Sequence, residues 1–221
     1  MPHASSSKYD LGHGRLRILV ADDHEVVRHG VRRLLEDQAG WAVCGEARTG
    51  REAVALAVAL QPDIAVLDVS MPGLNGIDAT RRIRQLVPSA KVVVLTVHDS
   101  EQVVSDAFAA GASGCVLKSE SGRTLVTAIR KVHAGEVFTA DTAPPSSSEP
   151  PRAAVRSPLT LREREVLQLL TEGHGNKEIA SILGITRKTA ETHRARMMTK
   201  LGLHSVSDLV RYAIRNRIIQ P

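Results

Sequence analysis

Five polar residues in the first part of the chain have the types that phosphoryl transfer requires. They are Asp22, Asp23, Asp68, Thr96 and Lys118. Three carboxylates that converge would repel one another without a cation among them, and oxygen ligands of this kind suit Mg²⁺. An aspartate can act as the nucleophile, while a lysine ammonium and a short hydroxyl can contact the oxygens of the transferred group. The set therefore predicts a phosphoryl-transfer site in which Asp68 is the nucleophile and Mg²⁺ is the cofactor.

These residues can meet only if the fold brings them to one place. Short β-branched runs alternate with helical patterns, and the runs cover residues 17–21, 41–47, 63–68, 91–96 and 113–118. Helical crossovers between successive strands favour a parallel sheet that is covered on both faces. In such open sheets ligands bind beyond the carboxyl ends of the strands, where all five residues fall. We therefore predict an α/β domain with a five-stranded parallel sheet and the site at its carboxyl edge.

Each residue has a less specific interpretation when it is taken alone. Asp22 and Asp23 could cap a helix, and Lys118 could be a surface lysine with a buried stem. Five matching residue types at the ends of four strands favour the site over these separate roles.

The same residues carry a family resemblance. Asp22-Asp23, Asp68 with Met71-Pro72-Gly73 and Asn75-Gly76 after it, Thr96 and Lys118 resemble the signature of response-regulator receiver domains over residues 17–135. The resemblance implies a flavodoxin-like fold and phosphorylation of Asp68 by a cognate histidine kinase. It implies that Asp22, Asp23, Asp68 and the backbone carbonyl of Ser70 hold Mg²⁺. It also implies that Thr96 and Lys118 sense the phosphoryl group, with Ser70 and His98 beside it.

One position departs from the receiver pattern. Such receivers usually have Tyr or Phe three residues before the lysine, and this switch position is Cys115 here. A small thiol lacks the ring whose movement biases the two conformational states. We hypothesise that this receiver responds weakly or through another element; a redox role for the cysteine is disfavoured, because buried apolar cysteines are usually inert.

The positive charge of the chain lies in its C-terminal part. Residues 1–138 hold 16 Lys and Arg against 16 Asp and Glu, whereas residues 152–221 hold 13 against 6, a net charge of +7. A localised basic surface attracts polyanions. The composition divides the chain into a disordered tail (1–15), a receiver domain (16–138), a flexible linker rich in Pro and Ser (139–157) and a basic domain (158–221).

The basic domain shows four helical patterns and no strand pattern. Thr160 with Glu163, then Asn176, Thr186 and Ser205 stand at positions that favour helix caps. Gly184 permits the tight turn of a helix-turn-helix. We predict a small all-α four-helix domain.

The third of these helices, over residues 187–201, is amphipathic. Ala190, Met197 and Leu201 fall on one side and predict the buried stripe. The opposite side predicts a surface for the DNA major groove, formed by Lys188, Glu191, Thr192 and Arg196. Phosphate contacts are predicted for Lys177, Arg187, Arg194 and Lys200. A merely solvated basic face is the alternative, and the turn and the basic domain disfavour it.

The second domain also resembles a known family. Leu159-Thr160, Arg162-Glu163, Glu165-Val166-Leu167, the run at 176–180, Thr189, His193 and Lys200-Leu201 resemble the LuxR-type output domain over residues 158–218. Together with a receiver, this is the layout of NarL/FixJ-type regulators. The resemblance implies a homodimer on a two-fold DNA site. The predicted dimer contacts are Val206, Leu209, Val210 and Ala213.

The sequence leaves two other functions open. An aspartyl-phosphate enzyme is disfavoured because a general acid is expected where Ser70 stands, so we expect no enzyme. A phosphorylation-independent DNA-binding regulator, whose receiver is a constitutive dimerisation or docking scaffold, is the stronger rival because of Cys115. Two cysteines without C-x-x-C spacing and no long apolar run predict a cytoplasmic protein without a membrane segment.

Overall fold

The computed structural model describes residues 14–97, 101–120, 122–139, 159–203 and 205–215. Almost all of the predicted tail and linker, as well as His98, lies outside the described residues. The described part contains an α/β unit followed by a helical unit, as predicted.

The α/β unit is a parallel sheet with helical crossovers. Its strands are β1 (Leu16–Ala21), β2 (Trp41–Ala47), β3 (Ile64–Asp68), β4 (Lys91–Thr96), β5 (Gly114–Leu117) and β6 (Phe138–Thr139). Its helices are α1 (Glu25–Glu36), α2 (Gly50–Leu60), α3 (Gly76–Leu86), α4 (Glu101–Ala109) and α5 (Gly122–Ala134). The strand order β2-β1-β3-β4-β5-β6 reverses beside β1, and ligand sites of open α/β sheets form at such a switch point.

The sheet has six strands where the sequence predicts five. The additional strand β6 pairs in parallel with β5, Phe138 beside Gly114 and Thr139 beside Cys115. Two residues are too few to show an alternating pattern, so this edge strand gives no periodic signal. Thr139, assigned to the linker from the sequence, belongs to the sheet.

Two hydrophobic cores cover the two faces of the sheet. Along β3, Ile64 and Val66 point into the core beneath α1 and α5, whereas Ala65 and Leu67 point into the core beneath α2, α3 and α4. Every residue of β3 is buried, because this central strand is covered on both faces. Asp68 ends this strand and is therefore held in rigid surroundings.

The helical unit consists of α6 (Leu161–Thr171), α7 (Asn176–Leu183), α8 (Arg187–Leu201) and α9 (Val206–Arg215). Its core includes the fully buried Leu167, Ile179 and Met197. Among the described residues, no helix combines the length and the apolar character that a membrane span requires.

The helix caps follow the sequence prediction with one exception. Thr160 and Glu163 form the predicted capping box, and the Thr186 side chain accepts the N–H of Thr189. Gly184 adopts the left-handed conformation between α7 and α8, with φ 63°. The prediction that Asn176 caps α7 is wrong, because Gly175 is the N-cap and its N–H donates to the Glu178 carboxylate at 2.8 Å.

Candidate functional site

The carboxyl edge of the sheet gathers the acidic residues that the sequence predicts. Carboxylate oxygens of Asp22, Asp23 and Asp68 and a ring nitrogen of His24 all lie within 4.8 Å of one another. Asp22 and Asp68 are buried, whereas Asp23 and His24 are exposed, so the cluster opens to solvent on one side. The predicted convergence of the three acids is confirmed.

Lys118 lies between the two buried acids. Its Nζ is 2.8 Å from Oδ2 of Asp22 and 2.9 Å from Oδ2 of Asp68. The backbone N–H of Lys118 donates to the Thr96 carbonyl at 2.7 Å, which fixes the end of β5 against β4. One ammonium faces two buried carboxylates, so the cluster keeps negative charge that a further cation can neutralise. This oxygen-rich donor set fits Mg²⁺.

The pKa shifts agree with this imbalance of charge. Burial raises the pKa of the Asp68 carboxyl, and the charge and hydrogen bond of Lys118 offset only part of the increase. For Lys118 burial lowers the pKa, but hydrogen bonds to Asp22 and Asp68 and their charges outweigh it, so the pKa is raised. The ammonium therefore stays charged at neutral pH, while the Asp68 carboxylate favours a nearby cation.

Two residues of this edge were missed from the sequence. His24 is the N-cap of α1, and its Nδ1 lies 2.8 Å from Oδ1 of Asp23. Arg28 is buried, donates to the Asp22 carbonyl at 2.9 Å and pairs with Glu46 at 3.2 Å. His24 could have been found from its position directly after the acidic pair. No sequence pattern indicates the buried contacts of Arg28.

The remaining residues predicted for this edge lie close to it. Thr96 is fully buried at the end of β4, and the Ser70 N–H donates a hydrogen bond to the Asp68 carboxylate. Cys115 is buried in β5 beside Val94 of β4. Burial raises the pKa of the Cys115 thiol to about 11, so it stays protonated at neutral pH, which supports the expectation that it is inert.

Helix α8 presents the basic surface that the sequence predicts. Lys188, Thr192 and Arg196 are exposed, while Ala190 and Met197 are buried and Leu201 is half-buried. The predicted orientation of the helix is therefore confirmed.

Two of the four residues predicted for phosphate contact have partners in the chain. Arg187 Nε lies 2.8 Å from Oε1 of Glu191, and Lys200 Nζ lies 2.7 Å from Oε2 of the buried Glu163. Lys177 is exposed on α7, and Arg194 is half-buried on α8. Lys200 thus joins α8 to the start of α6, a structural role that the sequence prediction did not include.

Comparisons with known proteins decide the family. Residues 18–130 match the response regulator receiver domain, and residues 157–213 match the luxR family of bacterial regulatory proteins. The chain belongs to the NarL/FixJ-type two-component response regulators. As such, this response regulator regulates transcription through its helix-turn-helix domain.

Curated relatives match this response regulator over nearly their whole length. Transcriptional regulatory protein MctR of Rhizobium johnstonii is 36% identical over 93% of this chain and 96% of its own length. Response regulator UvrY of Escherichia coli is 36% identical over 91% of this chain and 94% of its own. Oxygen regulatory protein NreC of Staphylococcus epidermidis is 35% identical over 93% of this chain and 100% of its own.

Solved structures of response regulators are similar too. A LuxR-family response regulator from Aurantimonas is 42% identical over 57% of this chain and 91% of its own, with a TM-score of 0.56. RcsB from Salmonella enterica, solved bound to a promoter with a phosphomimetic, is 28% identical over 90% of this chain and 98% of its own, with a TM-score of 0.58.

The predicted dimer contacts of this response regulator do not all lie on its surface. Leu209 and Ala213 are fully buried in the core of the helical unit, where α9 packs against α6. They are not available to a partner, because their side of the amphipathic helix closes this small domain. Val210 is half-buried, and the side chain of Val206 lies outside the described residues.

Proposed function

We propose that Asp68 accepts the phosphoryl group of a phosphohistidine on a cognate sensor kinase. An oxygen of the Asp68 carboxylate bonds to phosphorus as the bond from phosphorus to the imidazole nitrogen breaks, and that nitrogen keeps the electron pair. The observation that carries the proposal is the Lys118 ammonium, 2.9 Å from Asp68 and shared with Asp22. From this position the ammonium can stabilise the negative charge on the oxygens of the transferred group.

Asp22, Asp23, Asp68 and the backbone carbonyl of Ser70 are the residues that we propose to hold Mg²⁺. When bound there, the ion neutralises charge on the phosphoryl oxygens. The exposed side of Asp23 leaves the cluster open to the ion and to the phosphoryl donor.

The output of the proposed switch is DNA binding by a cytoplasmic homodimer. Lys188, Thr192 and Arg196 form an exposed row on α8 that suits the major groove, where such side chains meet base edges. Among the described side chains of α9, the half-buried Val210 and Ile214 are apolar positions that suit the dimer contact. The DNA-bound RcsB structure supports this part of the proposal by similarity.

We propose no enzymatic role for the chain. The position two residues past Asp68 holds Ser70, which is a poor general acid. A phosphorylation-independent function is not favoured, because the acids and Lys118 converge as phosphoryl transfer requires.

The proposal is tested by phosphorylating the full-length chain with acetyl phosphate and Mg²⁺ and separating the products on a phosphate-affinity gel. The wild type and the control Asp106→Asn, which alters an acid on α4, should shift to the phosphorylated form. Asp68→Asn should not shift, because its amide is not a nucleophile. Equal phosphorylation of Asp68→Asn and the wild type would overturn the assignment.

A further inference from the structure

The guanidinium group of Arg28 connects three elements beside the acidic edge. Arg28 lies in the first turn of α1 and is 3% exposed. Its Nη1 donates to the backbone carbonyl of Asp22 at 2.9 Å, in a buried hydrogen bond. Its Nε donates to Oε2 of Glu46, near the end of β2, at 3.2 Å. One planar group of α1 therefore joins the backbone at the end of β1 to a side chain of β2.

Glu46 balances the charge of this buried guanidinium. Its other carboxylate oxygen lies 2.6 Å from Nη1 of Arg32, one turn further along α1. Arg32 is 45% exposed, so the two arginines that share Glu46 differ in burial although they have the same partner. A buried guanidinium that is paired and donates in a fixed plane keeps one position, because leaving that position would leave charge unpaired.

The backbone that carries the acidic pair is held on several sides. The Asp22 N–H donates to the Ala47 carbonyl at 3.2 Å, and Oδ1 of Asp22 accepts the His24 N–H at 2.9 Å. Arg28 holds the remaining backbone group of Asp22, its carbonyl. The peptide group between Asp22 and Asp23 is planar, so the direction of this carbonyl also sets where the N–H and Cα of Asp23 lie. The hydrogen bond from Arg28 thus bears on both acids.

The charge of Arg28 does not itself favour a cation in the cluster. A positive group near the carboxylates repels a metal ion, and Lys118 already contacts both Asp22 and Asp68. Any gain in metal affinity from Arg28 must therefore come from geometry. Mg²⁺ requires nearly ideal octahedral geometry with ligands at about 2.0 to 2.1 Å, so a small displacement of one carboxylate weakens its binding.

We propose that Arg28 is a positioning residue of the phosphoryl-transfer site, which holds the Asp22–Asp23 peptide group so that both carboxylates serve one Mg²⁺ ion. This inference rests on the proposed function of Asp68 and of the acidic cluster. Arg28 touches neither the ion nor the phosphoryl group and acts through the Asp22 carbonyl. Groups that orient metal ligands in this indirect way commonly account for tenfold or more in affinity.

The first test is the affinity of the full-length Arg28→Lys variant for Mg²⁺, measured by isothermal titration calorimetry. Lysine keeps the positive charge but lacks the planar fork that reaches the Asp22 carbonyl and Glu46 together. The Kd for Mg²⁺ should rise about tenfold. Arg32→Lys is the matched control, because it alters the exposed partner of the same Glu46, and its Kd should change by less than about twofold.

The Arg28→Gln variant separates position from charge. If Arg28 acted only by its charge, removing that charge would tighten Mg²⁺ binding, because one repulsive group would be lost. Positioning predicts weaker binding in Arg28→Gln as well as in Arg28→Lys. Where the glutamine variant does not fold, the sign is read from Arg28→Lys alone, whose charge is unchanged.

A second measurement needs no metal. Hydrogen exchange of the His24 amide, measured by NMR in the metal-free chain, reports the turn that Asp22 closes. Exchange should be several-fold faster in Arg28→Lys than in the wild type and unchanged in Arg32→Lys.

Urea unfolding distinguishes positioning from a purely structural role. A loss of stability in Arg28→Lys with an unchanged Kd for Mg²⁺ would overturn the proposal and leave phosphorylation of Asp68 intact. Tighter Mg²⁺ binding in Arg28→Gln would overturn it too. Failure of the proposed function shows differently, as wild type that neither binds Mg²⁺ nor is phosphorylated by acetyl phosphate, and that result would overturn both.

Discussion

The acidic edge of the receiver and helix α8 of the output domain both depend on charged side chains, yet they expose them very differently. At the edge, Asp22 and Asp68 are buried and share the Lys118 ammonium. On α8, Lys188 and Arg196 are exposed to solvent. Buried charges interact strongly with one small group at a fixed place, whereas exposed charges interact weakly, over a longer range and with strong screening by salt. The first arrangement suits a single phosphoryl group and the second a polyanion.

The contact between α6 and the receiver is a third region with charged side chains. It buries Glu165 with guanidinium groups of both units, so it has the electrostatics of the acidic edge although it links two domains. Mutations in the acidic edge, in the α6 contact and on α8 should therefore have effects that differ in size and in salt dependence.

The largest effect is expected at the acidic edge. Lys118→Met leaves two buried carboxylates without their ammonium, and loss of one partner of such a pair costs about 3 to 5 kcal/mol. Urea unfolding should show this loss of stability, and Mg²⁺ should restore part of it. Lys91→Met, whose ammonium contacts the His133 carbonyl at the surface, is the control and should change stability by less than about 0.5 kcal/mol. Equal effects of the two variants would contradict the contrast between buried and exposed charge.

The next effect is expected where the domains meet. Glu165→Gln leaves Arg51, Arg82 and Arg162 facing a neutral amide, and we expect a loss of about 2 to 3 kcal/mol. Glu191→Gln breaks only the exposed pair with Arg187 and should cost about 0.3 to 0.5 kcal/mol. Calorimetry should also resolve separate unfolding of the two domains in Glu165→Gln. A single transition at the wild-type temperature would show that the pairs do not hold the domains together.

A smaller effect, visible only in DNA binding, is expected on α8. Arg196→Ala should weaken binding to a target site by about 1 to 3 kcal/mol if it contacts a base edge. Lys177→Ala should weaken binding to all sequences and reduce the salt slope by about 1 if it contacts a phosphate. Fluorescence anisotropy at several salt concentrations separates the two, and folding stability should not change in either variant. Unchanged affinity in both variants would contradict the prediction that these residues of α8 and α7 contact DNA.

The smallest effect is a pH dependence at the start of α6. Burial raises the pKa of Glu163, but hydrogen bonds from Lys200 and Thr160 outweigh it and hold the pKa below its ordinary value of 4.5. A carboxyl whose pKa is depressed by folding stabilises the fold above its unfolded pKa, and this contribution is lost as the pH falls through the folded value. Glu163→Gln should therefore cost about 1 kcal/mol at pH 7 and less near pH 3. Urea unfolding at the two pH values measures the difference, and an equal loss at both would exclude the ionised carboxylate as its source.

Most of the candidate site could be predicted because it follows from local patterns and one topological rule. The alternating strands and helices indicated a parallel sheet, and parallel strands place Asp22, Asp68 and Lys118 at one edge wherever the helices lie. Helix α8 could be oriented from its periodicity alone. The dimer contacts were less predictable, because Leu209 and Ala213 have the same apolar character whether they face a partner or their own core.

The sequence by itself determined the helices and the first five strands, the family, the acidic edge and the exposed face of α8, because each depends on residue type and on spacing within a short segment. Only the tertiary structure decided the burial of Arg28, the edge strand β6 and the contact of α6 with the loop that follows Asp68. Gln168 and Met71 are 97 positions apart and share no periodic pattern. Their contact is a hydrogen bond from a side chain of one unit to the backbone of the other, and it can form only once both units have folded and come together.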